Sequence, residues 1–271
     1  MDTSASPSSS RFAAAAVVVV AAALLLLLPA LSAADDWEDA HATFYGDETG
    51  GGDHAVWLSI VHAEGACGYG NLFEQGYGLE TTALSVALFG EGRACGGCYE
   101  LRCQGSSYCA PGGAPVTVTA TNLCPANYSK PNENWCNPPL RHFDLSKPMF
   151  LRLVTDFHVG IIPVQYRRVP CAKRGGVRFE MKGNQWWVAV LVFNVAGAGD
   201  VKAMAVRGSW DGQWADMSRN WGQIWTSGDS RHVGQGLSFR VVAGDGRSVE
   251  LDNVVPQGWA FGQSFEGRGQ F

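Results

Sequence analysis

A single acidic residue, Asp144, lies in the stretch "PLRHFDLSKP" (139–148), between an aromatic residue, a histidine and a predicted helix start. A carboxyl group in this position can transfer a proton as a general acid, or it can accept hydrogen bonds from the hydroxyl groups of a ligand. It can also cap the helix that follows, and the local pattern taken alone favours this structural role. All three roles are open at this level.

Eight cysteines are the second group of residues whose side chains could carry out chemistry. An even number of cysteines behind a secretion signal indicates a disulfide framework. The pair in "CGGC" could instead begin a zinc site, because the CxxC spacing suits tetrahedral thiolate ligation. Zinc needs reduced thiols, so we expect disulfides, no metal and no cofactor. The cysteines are Cys67, Cys95, Cys98, Cys103, Cys109, Cys124, Cys136 and Cys171.

The secretion signal is predicted from the first residues. A serine-rich start and Arg11 precede an apolar run over 12–33 that ends in small residues. This pattern favours a cleaved signal peptide over 1–34, although the run is longer than the usual ~7–15 residues. The alternative is an uncleaved, membrane-associated anchor, because the run approaches the ~18–20 residues that span a bilayer.

The net charge of −5 comes from −7 over residues 35–170 and +2 over residues 171–271. Nucleic-acid binding needs clustered lysine and arginine to neutralise phosphates, and the sequence has no such run. We therefore expect a neutral or weakly charged partner and no nucleic acid.

The composition changes near residue 171, where the cysteines end, and seven of the ten tryptophans lie at 186 or later. The first part mixes strands, such as "YELRC" (99–103) and "PVTVTAT" (115–121), with small helices. Helices are predicted from "TTALSVALF" (81–89), and after Ser146 from the apolar spacing of residues 149–157. Asp144 is therefore expected where a strand meets a helix.

The second part is predicted to be all-β. Its strand-like runs are punctuated by Gly, Asn and Asp, which is typical of a small antiparallel sandwich. The unbroken apolar run over 186–195 indicates a central strand that is buried on both faces. The five runs are "VRFEMKG" (177–183), "WWVAVLVFNV" (186–195), "VKAMAVRG" (201–208), "LSFRVVA" (237–243) and "RSVELD" (247–252).

Several motifs of the chain together resemble one family, the plant expansins of the α type. The resemblance runs from about residue 37 to the C-terminus and is specific, because separate motifs occur in order at compatible spacing. The motifs are "AHATFYG" (40–46), "GACGYGNL" (65–72), "CGGCYELRC" (95–103), "TATNLCP" (119–125), "WCNPPLRHFDLS" (135–146), "YRRVPC" (166–171) and "MSRNWGQIW" (217–225).

The resemblance implies a mainly β protein. It consists of a six-stranded double-psi β-barrel over 37–171, similar to the barrel of family-45 endoglucanases, and an immunoglobulin-like β-sandwich over 177–271. Residues 172–176 are the predicted linker. The resemblance also implies the disulfides Cys67–Cys95, Cys98–Cys171, Cys103–Cys109 and Cys124–Cys136. One departure from the family pattern is an apolar stretch within 50–64, which is either an added flap over the site or non-native sequence.

The implied activity is non-hydrolytic loosening of the plant cell wall. Asp144 matches the acid of the endoglucanases, and Thr43, Tyr45 and His142 would add polar contacts along an open groove. Expansins usually lack the base that hydrolysis requires, but Asp47 in "TFYGD" matches the motif spacing of that base. A solvent-facing Asp47 is the favoured interpretation, and a weak inverting endoglucanase is the enzyme alternative. An inert carbohydrate-binding or signalling module is the third.

The sandwich is expected to carry a row of aromatic rings that stack on glucose. Trp186 and Trp187 are adjacent at a strand start and would point to opposite faces, so at least one should be exposed. Trp221 is the third candidate, whereas Trp225 is expected in the core. For any single tryptophan, a core position is the favoured alternative.

The expected partners are cellulose and matrix glucans such as xyloglucan. The protein is expected to be a monomer without a protein partner, secreted to the cell wall. Asn127 in "NYS" is the single N-glycosylation sequon and a candidate glycan site.

Overall fold

The computed structural model of this protein describes residues 1–2, 37–46, 65–228 and 230–271. The predicted signal peptide, Asp47 and the 50–64 stretch lie outside these ranges. Within them, no helix has the length and apolar character needed to cross a bilayer.

The first six strands close into a barrel in the order β1-β5-β2-β4-β3-β6. Its interior is lined by alternate residues of the strands, including Ala42, Leu101, Phe143 and Leu145, which are all fully buried. Intervening residues point outward. The strands are β1 (Glu38–Tyr45), β2 (Thr81–Leu84), β3 (Cys98–Cys103), β4 (Val116–Leu123), β5 (His142–Ser146) and β6 (Ile162–Val169).

The helices of the described ranges are shorter than the sequence predicts. The stretch 81–89 begins as β2, whose four residues are all buried, and only then forms α1 (Val86–Phe89). Because both faces of β2 are covered, its sequence lacks the alternation of an ordinary strand. The single-turn 3₁₀ segments Gly90–Gly92 and Phe157–Val159 are the remaining helical elements here.

The second helix, α2 (Lys147–Leu151), starts where expected but ends early. Its Ser146 does not cap it, because the hydroxyl donates to the Leu79 carbonyl at 2.5 Å. Beyond residue 152 the backbone pairs with the disulfide loop instead: Val154 forms a bridge with Cys109, and Ala110 N–H donates to Leu153 O at 2.9 Å. A competing backbone partner therefore ends this helix.

The remaining strands form a β-sandwich. All five predicted runs are strands, whereas the sequence reading missed β10, β11 and β14. Only one residue of β10, Met217, is buried, so this strand has no clear apolar alternation. The strands are β7 (Arg178–Asn184), β8 (Trp187–Phe193), β9 (Val201–Gly208), β10 (Trp214–Trp221), β11 (Ile224–Thr226), β12 (Leu237–Ala243), β13 (Ser248–Val255) and β14 (Ser264–Glu266).

Strand β10 links the two layers of the sandwich. Its first half pairs with β9 and its second half with β11, giving the order β13-β12-β9-β10-β11-β8-β7-β14. Phe179 of β7 and Phe239 of β12 stack with ring centroids 4.4 Å apart in the core between the layers. The expected barrel and sandwich are therefore both present.

Strand β8 is buried on both faces, as its unbroken apolar run predicts. Val188, Val190 and Val192 face the sandwich core. Leu191 and Phe193 belong instead to the apolar cluster that fills the barrel side. The outer face of this strand is therefore packed against the barrel, and Trp37–Phe271 form one compact unit. The proposed limits of the two domains and the linker stay predictions.

Four disulfides lie in the described part of the chain, and their partners are those that the family resemblance implies. Three of them cross-link the barrel and its loops, and the fourth joins β3 to Cys171, two residues after the end of β6. The pairs are Cys67–Cys95, Cys98–Cys171, Cys103–Cys109 and Cys124–Cys136, with Cα separations of 5.5, 5.3, 5.4 and 5.8 Å.

Candidate functional site

The parallel pairing of β1 with β5 brings the predicted polar residues together. The register sets His41 opposite His142 and Thr43 opposite Asp144. Since Ala42 and Phe143 between them point into the barrel, these side chains all lie on the outer face. Asp144 lies within β5, three residues before the start of α2, and it does not cap that helix.

A short hydrogen-bonded chain connects three of these side chains. The Thr43 hydroxyl donates to Asp144 Oδ1 at 2.7 Å, and Thr43 Oγ1 lies 2.8 Å from His142 Nε2. A hydroxyl has a single proton to give, so with an ionised Asp144 the imidazole must donate from Nε2. His142 Nδ1 is then unprotonated, and it has no hydrogen-bond partner among the described residues.

Burial sets the protonation of this chain. It raises the pKa of Asp144, and the hydrogen bond from Thr43 partly opposes the rise. Burial, with a smaller contribution from the nearby His41, lowers the pKa of His142 to about 4. His142 is therefore neutral at neutral pH, which agrees with its role as a single-proton donor.

Aromatic rings lie on both sides of the hydrogen-bonded chain His142–Thr43–Asp144. The Tyr45 hydroxyl lies 3.0 Å from Thr81 Oγ1 of β2, and burial raises its pKa. In the middle of β1, the His41 ring lies against Trp135, with ring centroids 4.6 Å apart. Trp135 is 41% exposed. The sequence analysis did not identify His41 and Trp135 as site residues, although both lie in motifs that carry the family resemblance, "AHATFYG" and "WCNPPLRHFDLS".

His142 is only 1% exposed, so it supports Thr43 rather than contacting a ligand as the sequence predicts. Thr43, Tyr45 and Asp144 are partly exposed and form one polar surface. Such a surface can accept and donate hydrogen bonds to sugar hydroxyls. The proposed partner carboxylate, Asp47, lies outside the described residues. In the described ranges no group of three or more His, Cys, Asp and Glu side chains could hold a metal ion.

The predicted aromatics of the sandwich differ in exposure. Trp186 is 72% exposed in the turn before β8, and Trp221 at the end of β10 is 37% exposed. Trp187 is half-buried and packs on the barrel-side cluster. Trp225 is buried as predicted, beneath the guanidinium of Arg219 at 4.4 Å from the ring centre. The expectation that Trp186 or Trp187 is exposed is confirmed.

Trp221 lies beside the barrel. A Cβ atom added to Gly68 would lie 2.9 Å from Ile224 and 3.4 Å from the tip of the Trp221 ring. Only a glycine therefore lets this part of the barrel approach β10 and β11 so closely.

The fully buried Gln223 fixes this approach. Its side-chain amide donates to the Cys95 carbonyl at 2.8 Å, and its backbone N–H donates to the Cys67 carbonyl at 3.0 Å. These two acceptors belong to the residues of one disulfide. Gly222 next to it has φ +52°, and a Cβ there would lie 2.6 Å from Cys67 backbone atoms. No sequence signal marked Gln223 in advance, because its role depends on how barrel and sandwich meet.

Two family profiles match this chain, one in the sandwich and one in the barrel. The expansin C-terminal domain profile matches residues 177–256, and a profile described as lytic transglycolase matches residues 81–166. Expansin-A22 of Arabidopsis thaliana is 52% identical over 244 residues, covering 90% of this chain and 82% of that protein. Expansin-A32 of Oryza sativa subsp. japonica is 45% identical, covering 87% of this chain and 84% of that protein.

Two solved structures share the fold. The apo crystal structure of Clavibacter michiganensis expansin has a TM-score of 0.63 and 21% identity, covering 86% of this chain and 97% of that one. A mutant form of the same bacterial expansin, solved in complex with cellohexaose, has the same TM-score and 20% identity, again covering 86% and 97%. With about half of all positions identical to the plant relatives over nearly the whole described chain, this protein belongs to the expansin family.

Proposed function

We propose that this protein is secreted to the plant cell wall and loosens it without hydrolysis. It would separate cellulose microfibrils from matrix glucans such as xyloglucan by competing for their non-covalent contacts. The observation that carries the proposal is the hydrogen-bonded chain His142–Thr43–Asp144, in which Thr43 and Asp144 are partly exposed on the outer face of the barrel. Four disulfides are consistent with secretion, because they persist in oxidising compartments.

Asp144 would bind the glucan through hydrogen bonds and would not take part in its cleavage. Its carboxylate accepts one hydrogen bond from Thr43, which leaves further lone pairs for sugar hydroxyls. The other acidic side chains of β1 are already engaged: Glu38 pairs with Arg141 at 2.5 Å, and Asp39 accepts from Gln165 at 3.0 Å. A lone carboxylate can bind a glycosidic unit but cannot supply both the acid and the base of an inverting mechanism.

The aromatics of the sandwich would hold the glucan surface. Trp186, Trp187 and Trp221 are the proposed stacking residues, since aromatic faces offer large apolar area at low entropic cost. The cellohexaose complex of the bacterial expansin supports a glucan ligand for this architecture. We propose that the protein acts as a monomer and carries a glycan on Asn127, which is exposed.

One observation favours the enzyme alternative. The raised pKa of Asp144 is what a general acid requires, because such an acid must be protonated near the working pH. A weak endoglucanase would then use Asp47 as its base. We rank this second, because the glycine-rich, acidic sequence around Asp47 predicts no fixed orientation for a base, and a base without one loses most of its effect.

A paired assay separates the alternatives. Extension of isolated walls and release of reducing ends from soluble glucan are measured for the parent, Asp144→Asn and Asp47→Asn proteins. Non-hydrolytic loosening predicts extension by the parent, its loss in Asp144→Asn, and no reducing ends from any form. Reducing ends that disappear in both variants would establish the endoglucanase. Binding without extension would establish an inert module.

A further inference from the structure

A second concave surface lies on the side of the barrel away from Asp144. Strands β4, β3 and β6 form its floor, whereas the Asp144 surface is built on β1, β5 and β2. The predicted linker and β7 form its wall. The cleft has a volume of about 720 Å³, which is within the ~300–1,000 Å³ of ordinary ligand sites. We refer to it below as the cationic cleft.

Four cations from three elements line the cationic cleft: Arg167, Lys173, Arg174 and Arg178. Two of them already have carboxylate partners. Arg167 pairs with Glu100 at 2.5 Å, and Arg178 pairs with Glu266 at 3.0 Å. This concentration contrasts with the charge of −7 over residues 35–170, to which the barrel belongs.

The other two cations have no carboxylate in ion-pair contact, although Glu80 also lines the cleft. Among the described residues, no carboxylate lies within 4 Å of the Lys173 ammonium or the Arg174 guanidinium. Lys173 is half-buried, with its ammonium 4.5 Å from the centre of the Tyr77 ring. Burial lowers its pKa, and Glu80 opposes this only at longer range. A half-buried charge without an ion pair is costly, and a bound anion would remove that cost.

The cleft also offers neutral groups of the kind that bind sugars. The Thr117 hydroxyl is exposed on its floor. Gln75 uses its amide N–H to donate to Glu180 at 3.2 Å, which leaves its carbonyl oxygen available. A free phosphate ion is much smaller than the cleft and would not use these groups.

We propose that the cationic cleft binds an acidic polysaccharide through the carboxylates of its hexuronic acid units. Lys173 and Arg174 would pair with carboxylates, while Thr117 and Gln75 would bind ring hydroxyls. This site is separate from the Asp144 surface and does not depend on glucan binding there. The protein would then hold a neutral glucan and an acidic chain on different sides of its barrel.

Titration calorimetry of the full secreted protein tests the site. The probes are a short oligogalacturonate, its fully methyl-esterified form, inorganic phosphate and polyglutamate, each at low and high salt. We expect the oligogalacturonate to bind at least about tenfold more tightly than the neutral ester, because each charged hydrogen bond is worth roughly one order of magnitude in affinity. High salt should weaken this binding.

Variants assign the binding to the cleft. Lys173→Gln with Arg174→Gln should lower the affinity about tenfold or more. The matched control Lys202→Gln with Arg268→Gln makes the same charge change at exposed positions elsewhere, and should change it less than about twofold. Arg174→Gln alone changes an exposed side chain and keeps the test valid if the double variant folds poorly.

Several results would overturn the proposal. These are equal binding of the ester and the acid, equal loss in the control pair, competition by phosphate at the concentration of the sugar, or tighter binding of polyglutamate. Asp144→Asn should leave oligogalacturonate affinity unchanged even though it abolishes wall extension. Failure of the cleft and failure of the loosening function are therefore distinguishable.

Discussion

Thr43 and Asp144 are 101 residues apart in sequence, yet the hydroxyl of one donates to the carboxylate of the other at 2.7 Å. This hydrogen bond holds down a pKa that burial would otherwise raise further. The Thr43 hydroxyl oxygen also contacts His142 Nε2, so one threonine orients two ionisable side chains, Asp144 and His142.

Thr43→Val should therefore raise the pKa of Asp144, because the methyl group cannot donate. We also expect a loss of about 1–3 kcal/mol of unfolding free energy, since a buried acceptor and His142 Nε2 lose their partner. NMR titration of the Asp144 carboxyl measures the first effect. Thr81→Val is the control, because Thr81 contacts Tyr45 instead. An unchanged Asp144 titration in Thr43→Val would contradict the hydrogen-bonded chain.

His142 should make the protein less stable in acid. Its folded-state pKa of about 4 lies below the unfolded value of 6.5, so protons bind preferentially to the unfolded chain. This contribution to stability is complete above about pH 6.5, declines as the pH falls from there to about 4, and is lost below that, a change of about 3 kcal/mol. Urea unfolding at several pH values measures this decline. His142→Gln should flatten it, and an equally steep decline in that variant would assign the effect to other groups.

Trp221→Ala or Trp187→Ala should weaken adsorption to cellulose by about 1 kcal/mol, several-fold in affinity, with the fold intact. Trp210→Ala is a matched control, since Trp210 is 66% exposed but is not a proposed stacking residue. Adsorption isotherms with a thermal melt of each variant give the comparison. Unchanged adsorption, or unfolding of the variants, would place these rings in the core rather than on a binding surface.

Reducing agent should unfold the barrel and spare the sandwich fold, because every disulfide lies before residue 172. The long 98–171 connection should contribute more than the 103–109 loop, since loop-closure entropy grows with length. Hydrogen exchange with and without reductant would resolve the two parts. Free thiols or bound zinc in the secreted protein would show that the framework is wrong.

Gly222→Ala should destabilise the protein by about 2–4 kcal/mol through strain at positive φ and a clash with Cys67. Gly212→Ala provides the control, because its φ of +67° is similar but a Cβ there meets no atom within 4 Å. The difference between the two melts isolates the clash. Equal destabilisation would mean that barrel and sandwich do not meet closely at Gly222.

The sequence predicted those parts of the fold whose pattern is local. Alternation located β3 and β4, and unbroken apolarity located β8. The sequence pattern did not identify β2, where both faces are covered, or β10, which buries a single residue. It also overextended α2, because the bridge between Val154 and Cys109 is a contact between distant segments.

The candidate site divides in the same way. Thr43, Tyr45, His142 and Asp144 were identified through motifs, and the register of β1 with β5 explains why those motifs occur together. Gln223 and the cationic cleft could not be identified, because each requires knowing which surfaces of barrel and sandwich meet. Such contacts leave no periodic pattern in either segment.

The outer face of β8 has a practical consequence for engineering. Leu191 and Phe193 are buried only because the barrel covers them. A sandwich produced alone, as an affinity tag or in a chimera with another enzyme, would present this apolar strip to water and tend to self-associate. Transplanting it as a soluble module therefore requires polar replacements on alternate positions of β8, whereas the opposite face must stay aliphatic.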